Sequence, residues 1–270
     1  MRRNADPTGQ PCAVFLVASG LAVALTSSGC LTGPLSEGNA AQPHLESKVF
    51  KISCEDGRRY AARTLKARSY RITGVDRSGA DTTVQGRNDT DKVTSRLTVT
   101  CGADGVTVKP SGSNQWIIDG LRFGFYQIAD AGDRVWPPPT GPVVKMELYR
   151  GPEAKIEFPS DLEPLGVVAV RVQVVNAGER TLRIDPHRLR AVTEAGAPAV
   201  PLAGADAERK LAGIDPDIKS KLLKAIKLKQ GESVTGFVFF PAGNYAGGAL
   251  ALIDDQTGEA DDYDVNFASS

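Results

Sequence analysis

Histidine and acidic side chains decide which catalytic reactions this chain could support. The only histidines are His44 and His187, and a serine–histidine–acid site would have to combine His187 with Asp185, two residues earlier. Such close spacing is typical of a turn, and the chain has no GxSxG, HExxH or phosphate-loop motif. We therefore predict no catalytic residues and no enzymatic activity.

Acidic residues cluster at 89–91 and at 254–262. The second cluster could bind Ca²⁺ through several carboxylates, but its spacing is not that of an EF-hand and resembles a polar hairpin around Thr257-Gly258. Two carboxylates could also meet in space and cleave a glycosidic bond, although nothing singles out a pair. We predict no metal site and no cofactor, and a secreted hydrolase of an envelope polymer remains the alternative function.

The four cysteines are Cys12, Cys30, Cys54 and Cys101. The last two should pair if the chain is exported, because exported proteins meet oxidising conditions. The disulfide would close a loop of about 48 residues and contribute roughly 4 kcal/mol. Two free thiols or a metal pair are the alternatives, and the metal pair is disfavoured because the chain has no CxxC motif.

The N-terminus predicts export. Met1-Arg2-Arg3 precedes an almost wholly apolar run at residues 13–25. As a helix this run would be about 20 Å long, against a hydrocarbon core of roughly 30 Å, so it is too short to span a membrane comfortably. Its length is that of a signal-peptide apolar region, and residues 1–29 are predicted to be removed.

Gly29-Cys30 at the end of this leader resembles the bacterial lipobox, although Ser27 stands where that family usually has leucine. The resemblance implies that the Cys30 thiol is acylated with chains such as palmitate, and that Cys30 becomes the N-terminus of a membrane-anchored lipoprotein. Leu31 follows in place of the aspartate that often retains such proteins at the inner membrane, which favours the outer membrane. Residues 30–45 form the lipid-bearing cysteine and a flexible tether of up to about 50 Å.

Charge argues against nucleic acid as a partner. Lys plus Arg and Asp plus Glu each number 32, and removal of residues 1–29 leaves 30 basic and 31 acidic residues. A chain without net positive charge has no global field that attracts polyanions. The expected partners are the membrane, through the lipid, and an envelope protein or cell-surface polymer.

Residues 46–136 are predicted to form a small α+β sandwich containing the disulfide. Alternation predicts a strand at Lys48–Cys54, and Asp56 should cap a helix that starts at Gly57. Several short antiparallel strands follow between residues 70 and 108. The helix carries basic residues that we interpret as a solvated face: Arg58, Arg59, Arg63, Lys66 and Arg68.

Aromatic residues gather before a proline-rich segment at 137–142, which should be a stiff linker. They could line a ligand pocket or pack at an interface, and the ligand-pocket interpretation would make the protein a ligand-capture module. These candidate residues are Trp116, Phe123, Phe125, Tyr126 and Trp136.

Residues 143–270 show about eight short strands separated by turn signals, which predicts an antiparallel β-sandwich. One helical insertion interrupts them, with Asp215 as cap, Pro216 at the first helical position and an apolar stripe at Ile218, Leu222 and Ile226. The segments VRVQVVNAGERTLRIDP and GESVTGFVFFP resemble immunoglobulin-like domains of bacterial surface lipoproteins. The resemblance implies a binding or scaffold role without transferable catalytic residues.

The sequence thus predicts a mainly β protein, with an α+β N-terminal part followed by an immunoglobulin-like sandwich with a helical insertion. We expect a non-enzymatic, lipid-anchored envelope protein that acts as a binding, scaffold or adaptor module.

Overall fold

The computed structural model of the protein describes residues 47–133, 139–202, 209–212 and 217–267. Within these ranges the chain is mainly β, with an α+β N-terminal part followed by an antiparallel β-sandwich. The predicted fold class is therefore confirmed. The leader, Cys30, the tether, Trp136 and the Asp215-Pro216 helix start lie outside the described residues.

The N-terminal part is a four-stranded antiparallel sheet in the order β1-β2-β3-β4, covered by two helices. Helix α1 packs against the sheet, and helix α2 packs against α1 and β4. The elements are α1 (Cys54–Ala67), β1 (Tyr70–Ser78), β2 (Asp81–Asn88), β3 (Thr94–Gly102), β4 (Gly105–Ser111) and α2 (Gln115–Ala131).

A sandwich of two antiparallel sheets follows. The smaller sheet has the order β11-β6-β5, and the larger has β10-β7-β12-β8-β9 with β13 also paired to β12. The strands are β5 (Pro142–Tyr149), β6 (Val167–Asn176), β7 (Leu182–Ile184), β8 (Arg190–Thr193), β9 (Pro198–Ala199), β10 (Ile226–Leu228), β11 (Ser233–Pro241), β12 (Tyr245–Asp254) and β13 (Ala260–Asn266). Pro142 of the predicted linker is the first residue of β5, a position where a proline costs no internal ladder bond.

Short helical elements connect these strands. Helix α3 spans Ala154–Glu157 and helix α4 spans Ile218–Lys221, with 3₁₀ turns at Gly151–Glu153, Glu163–Leu165 and Pro186–Arg188. Among the helices of the described residues, none combines the length and apolarity needed to cross a bilayer.

The smaller sheet is buried on both faces, so it is the middle layer of the molecule. On β11, Val238 and Phe240 point into the sandwich core. Their neighbours Phe237 and Phe239 belong to a second core, which continues to α1 and the N-terminal sheet. A strand buried on both faces reads as a continuous apolar run, which explains the sequence Phe-Val-Phe-Phe at 237–240.

Two local sequence predictions were wrong. Only Phe50 of the predicted strand at Lys48–Cys54 pairs with a neighbour, through reciprocal backbone hydrogen bonds with Val106. Helix α1 begins at Cys54, three residues before the predicted start, because the Ser53 side chain is the cap and accepts a 3.0 Å hydrogen bond from the Asp56 backbone.

The helical stripe at Ile218, Leu222 and Ile226 also ends early. Helix α4 stops at Lys221, Leu222 pairs with Phe237 of β11, and Ile226 begins β10. Backbone pairing with two sheets therefore overrides the local helical pattern.

Candidate functional site

The outer edge of β11 positions the candidate site. A sheet edge presents unpaired backbone groups, and two segments cover part of this one. The backbone N–H of Leu202 donates to Phe239 O at 2.8 Å, and that of Leu223 donates to Phe237 O at 3.0 Å. Gly236 makes the second approach possible, because a Cβ there would lie only 2.5 Å from Leu223 Cα.

Between the two covering segments lies an open cavity of about 410 Å³, which we name the β11 cleft. Its lining is predominantly apolar and includes Leu202, Leu211, Ile218, Leu222, Phe237 and Phe239. This volume lies within the range of small-molecule sites, which are mostly apolar with a few polar groups. The cleft can therefore take up an apolar ligand group of modest size.

An aromatic cluster forms the floor behind the cleft. The Phe158 ring centroid lies 4.9 Å from that of Phe237 and 5.6 Å from that of Phe239. Phe158 is fully buried, and edge-to-face packing of this kind fixes ring positions. The floor is consequently closely packed.

The ionisable side chains among the described residues that line the cleft are His187 and Lys219. Both are exposed, which places them at its opening. The Asp185 carboxylate accepts a 3.0 Å hydrogen bond from the His187 backbone, so it caps the 3₁₀ turn. Asp185 and His187 therefore lie in a turn, as their spacing predicted.

A second cluster of ionisable groups lies where α1 meets the smaller sheet. Arg59 and Glu157 are both buried, with Arg59 Nη1 3.3 Å from Glu157 Oε1, and Arg59 also pairs with Asp56. Burial raises the pKa of Glu157 to about 7, because Arg59 offsets only part of the desolvation and the neighbouring Glu55 adds to it. The Glu157 Oε2 and Arg59 Nε atoms have no hydrogen-bond partner.

Neighbouring ion pairs extend this cluster. Arg63 lies 2.6 Å from Asp133 and 2.5 Å from Glu147, and Arg171 lies 3.4 Å from the other Glu147 oxygen. Burial alone would raise the pKa of Glu147, but the charges of Arg63 and Arg171 outweigh it and lower that pKa. Lys66 pairs with Glu153 at 2.7 Å.

The interpretation of the α1 arginines as a solvated face was therefore wrong. Arg59 is buried, Arg63 and Lys66 are partly buried, and Arg58 donates to the Ile156 carbonyl at 3.0 Å. The acidic partners at 133–157 are too distant in sequence for a helical pattern to reveal. This cluster joins α1 to the sandwich, and the Glu157 carboxyl, whose pKa is raised, is completely buried within it.

The predicted site residues are distributed as follows. Cys54 and Cys101 form a disulfide that joins α1 to β3, with Cα atoms 5.7 Å apart. The aromatic segment is helix α2, from which Phe125 enters the core while Trp116 and Phe123 are 73% and 48% exposed. Tyr126 is partly buried, and its ring packs edge-on against Phe50 with centroids 5.1 Å apart. These four residues thus share a helix without sharing a face.

The acidic 254–262 segment joins β12 to β13. Asp254 accepts backbone hydrogen bonds from Gln256 and Thr257, while Asp255 pairs with Lys227 and Asp261 with Arg180. Within the described ranges no three His, Cys, Asp or Glu side chains form a group able to hold a metal ion.

Sequence reasoning did not find the β11 cleft. Its lining comes from five separate segments between residues 186 and 239, so no single periodic pattern reveals it. A usable signal existed at residues 218–231, which combine five lysines with alternating apolar residues and contain no acid.

Comparison with known proteins adds little. No family model and no curated protein matches the chain. The crystal structure of the yjhA protein from Bacillus subtilis is similar over 37% of this chain and 73% of that chain, at 15% identity and a TM-score of 0.28. A protein from Bordetella pertussis with the provisional name ApaA is similar over 48% and 90%, at 14% identity and a TM-score of 0.27. Neither likeness bears on the function of this chain.

Proposed function

We propose that the protein is an exported lipoprotein that acts as a binding module in a bacterial envelope. Residues 1–29 are removed, Cys30 is acylated, and the outer membrane is the favoured location. The disulfide between Cys54 and Cys101 supports export, because such bonds persist in oxidising compartments. The immunoglobulin-like resemblance supports a binding or scaffold role.

The β11 cleft is the observation that carries the binding role. It is predominantly apolar, open to solvent, of ligand size, and backed by a closely packed aromatic floor. A larger hollow of about 530 Å³ includes Arg150 and Glu153 in its lining. There Arg150 contacts Asn244 and Glu153 pairs with Lys66, so internal contacts already occupy these polar groups.

The hydrolase alternative needs two accessible carboxylates, one of them with a raised pKa. Glu157 has a raised pKa, and it is completely buried. Glu157 therefore does not meet this requirement.

Intact mass spectrometry of the product extracted from membranes tests the anchor. We expect a chain that begins at Cys30 and carries acyl mass, while Cys30→Ser should lack that mass. An unprocessed Met1 start, or an unmodified Cys30, would refute this part of the proposal.

Fluorescence titration with a neutral apolar dye tests the cleft, using the full chain with Cys30→Ser. Ala225 is exposed and lines the cleft, so Ala225→Trp should fill the opening and weaken dye binding at least about tenfold. Ala103→Trp, on the exposed β3–β4 turn, is the matched control and should bind the dye normally. Equal dye binding by both variants would remove the cleft as the binding site.

A further inference from the structure

The β11 cleft offers two different chemistries to one ligand. Its interior is apolar, with leucine, isoleucine and phenylalanine side chains converging on the edge of β11. Each buried methylene of a ligand contributes about 0.8 kcal/mol, which corresponds to about fourfold in affinity. A ligand with a linear apolar chain would therefore bind more tightly as the chain lengthens, until the cavity is full.

Two lysines lie at or beside the opening of the cleft. Lys219 lines it, and Lys224 lies between the lining residues Leu223 and Ala225. Both lysines are exposed, and neither forms an ion pair with a carboxylate of the described residues. Lys227, in contrast, is paired with Asp255 at 2.7 Å.

The surrounding sequence reinforces this charge. Residues 218–231 contain five lysines and no acidic residue, and they are flanked by Asp217 and Glu232, of which Glu232 accepts a hydrogen bond from the Lys229 backbone. Asp185, an acidic residue close to the lining residue His187, accepts a backbone hydrogen bond of the 3₁₀ turn. A cationic opening over an apolar interior is complementary to a molecule that has a chain at one end and an anion at the other.

We infer that the β11 cleft binds an anionic amphiphile, with its apolar chain in the cavity and its carboxylate or phosphate head at Lys219 and Lys224. This inference rests on the proposed binding function and specifies its ligand class. A neutral glycolipid would lack the anion, and a basic apolar peptide would be repelled by the lysines. The titration therefore includes a neutral ligand and a cationic ligand.

Calorimetric titration of the full chain with Cys30→Ser, with each ligand below its micellar concentration, tests the ligand class. The probes share a dodecyl chain and differ in the head: dodecyl phosphate, dodecanoate, neutral dodecyl maltoside and cationic dodecyltrimethylammonium. We expect both anions to bind about tenfold more tightly than the neutral probe. Decyl phosphate should bind about 15-fold more weakly than dodecyl phosphate.

Charge variants locate the head group. Lys219→Gln combined with Lys224→Gln should remove the preference for the anions, while the neutral dye still binds. Lys109→Gln changes an exposed lysine on β4 and should leave that preference intact. Dye binding by the double variant also verifies that the cleft is still folded.

The outcomes separate the two proposals. Equal affinity for anionic and neutral heads, or an anion preference that survives the double substitution, overturns the inference and leaves the binding function standing. Failure of every probe, including the neutral dye, overturns the binding function as well. A preference for dodecyltrimethylammonium contradicts the charge argument directly.

Discussion

Two regions border the smaller sheet of the sandwich, and one consists of charged side chains whereas the other consists of apolar side chains. At β5 and β6 the sheet meets α1 through a buried cluster of charged groups, where Arg59, Arg63 and Arg171 pair with carboxylates. At the edge of β11 the sheet meets two loosely covering segments through apolar side chains, and about 410 Å³ remains open. The charged side chains of the first region pair with one another, whereas the apolar region has space for another molecule.

This difference separates a structural site from a binding site. Perturbed pKa values are commonly taken as a sign of function, but here they occur where the chain pairs its own charges. The β11 cleft is marked instead by unfilled space beside Lys219 and Lys224, neither of which pairs with a carboxylate of the described residues. We therefore expect substitutions in the charged region to change stability and substitutions in the cleft to change ligand binding.

The largest expected effect is that of Arg59→Met. Removing one partner of a buried pair leaves Glu157 without its counter-charge, which should cost about 4 kcal/mol of unfolding free energy at pH 8. Urea denaturation measures it. The cost should shrink at pH 5, where Glu157 can take up a proton. Arg59→Met combined with Glu157→Gln should recover most of the loss, and an equal loss in the double variant would contradict the pairing.

The pH dependence of stability is the next effect in size. The pKa of Glu157 rises from its ordinary 4.5 to about 7, so the folded state holds this proton more tightly than the unfolded state. Stability from this group is therefore highest below pH 4.5, falls as pH rises to 7, and is constant above. The loss should be about 3 kcal/mol.

Glu147 has the opposite effect on the pH dependence of stability. Its pKa is lowered, so its contribution is present above its ordinary pKa and is lost as the pH falls through the lowered value. Urea titrations between pH 3 and pH 8 should therefore show a stability maximum near pH 4.5. In Glu157→Gln the decline between pH 4.5 and 7 should disappear, and an unchanged slope would exclude Glu157 as its source.

Gly236→Ala probes the contact that shapes the cleft. The new Cβ would lie 2.5 Å from Leu223 Cα, and both atoms belong to backbone-anchored segments, so one strand must shift. Overpacking of this kind should lower the unfolding free energy by about 2 kcal/mol and alter dye binding. At Gly141 a Cβ would meet nothing within 4 Å, so Gly141→Ala is the control, and comparable losses in both variants would argue against the steric explanation.

The sequence predicted most of the strands because alternation in β1, β2 and β3 reports burial directly, and the apolar runs of β6 and β11 match strands buried on both faces. It predicted the Cys54–Cys101 disulfide because elimination left one pair in the folded part. Helix α4 was overextended because pairing with β11 depends on distant residues.

Neither region of the comparison could be found this way. The α1 cluster joins residues about 100 positions apart, such as Arg59 and Glu157, which are separated by 98 positions. The cleft is a space between segments that are distant in sequence. A sequence pattern gives the order of residue types, but it does not give the distances between segments in the folded protein. The lysines at 219 and 224 were visible, but their relation to a cavity was not.

The smallest expected effect on stability is also the most informative about function. Ala225 is exposed, so Ala225→Trp adds a side chain at the cleft opening without entering a packed core. The unfolding free energy should change by no more than about 0.5 kcal/mol, since surface substitutions away from special features rarely do more. If stability falls as far as in Gly236→Ala, the cleft is part of the packing and its openness is incidental. If stability is unchanged while dye binding is lost, the β11 cleft binds a ligand and its open space is not needed for folding.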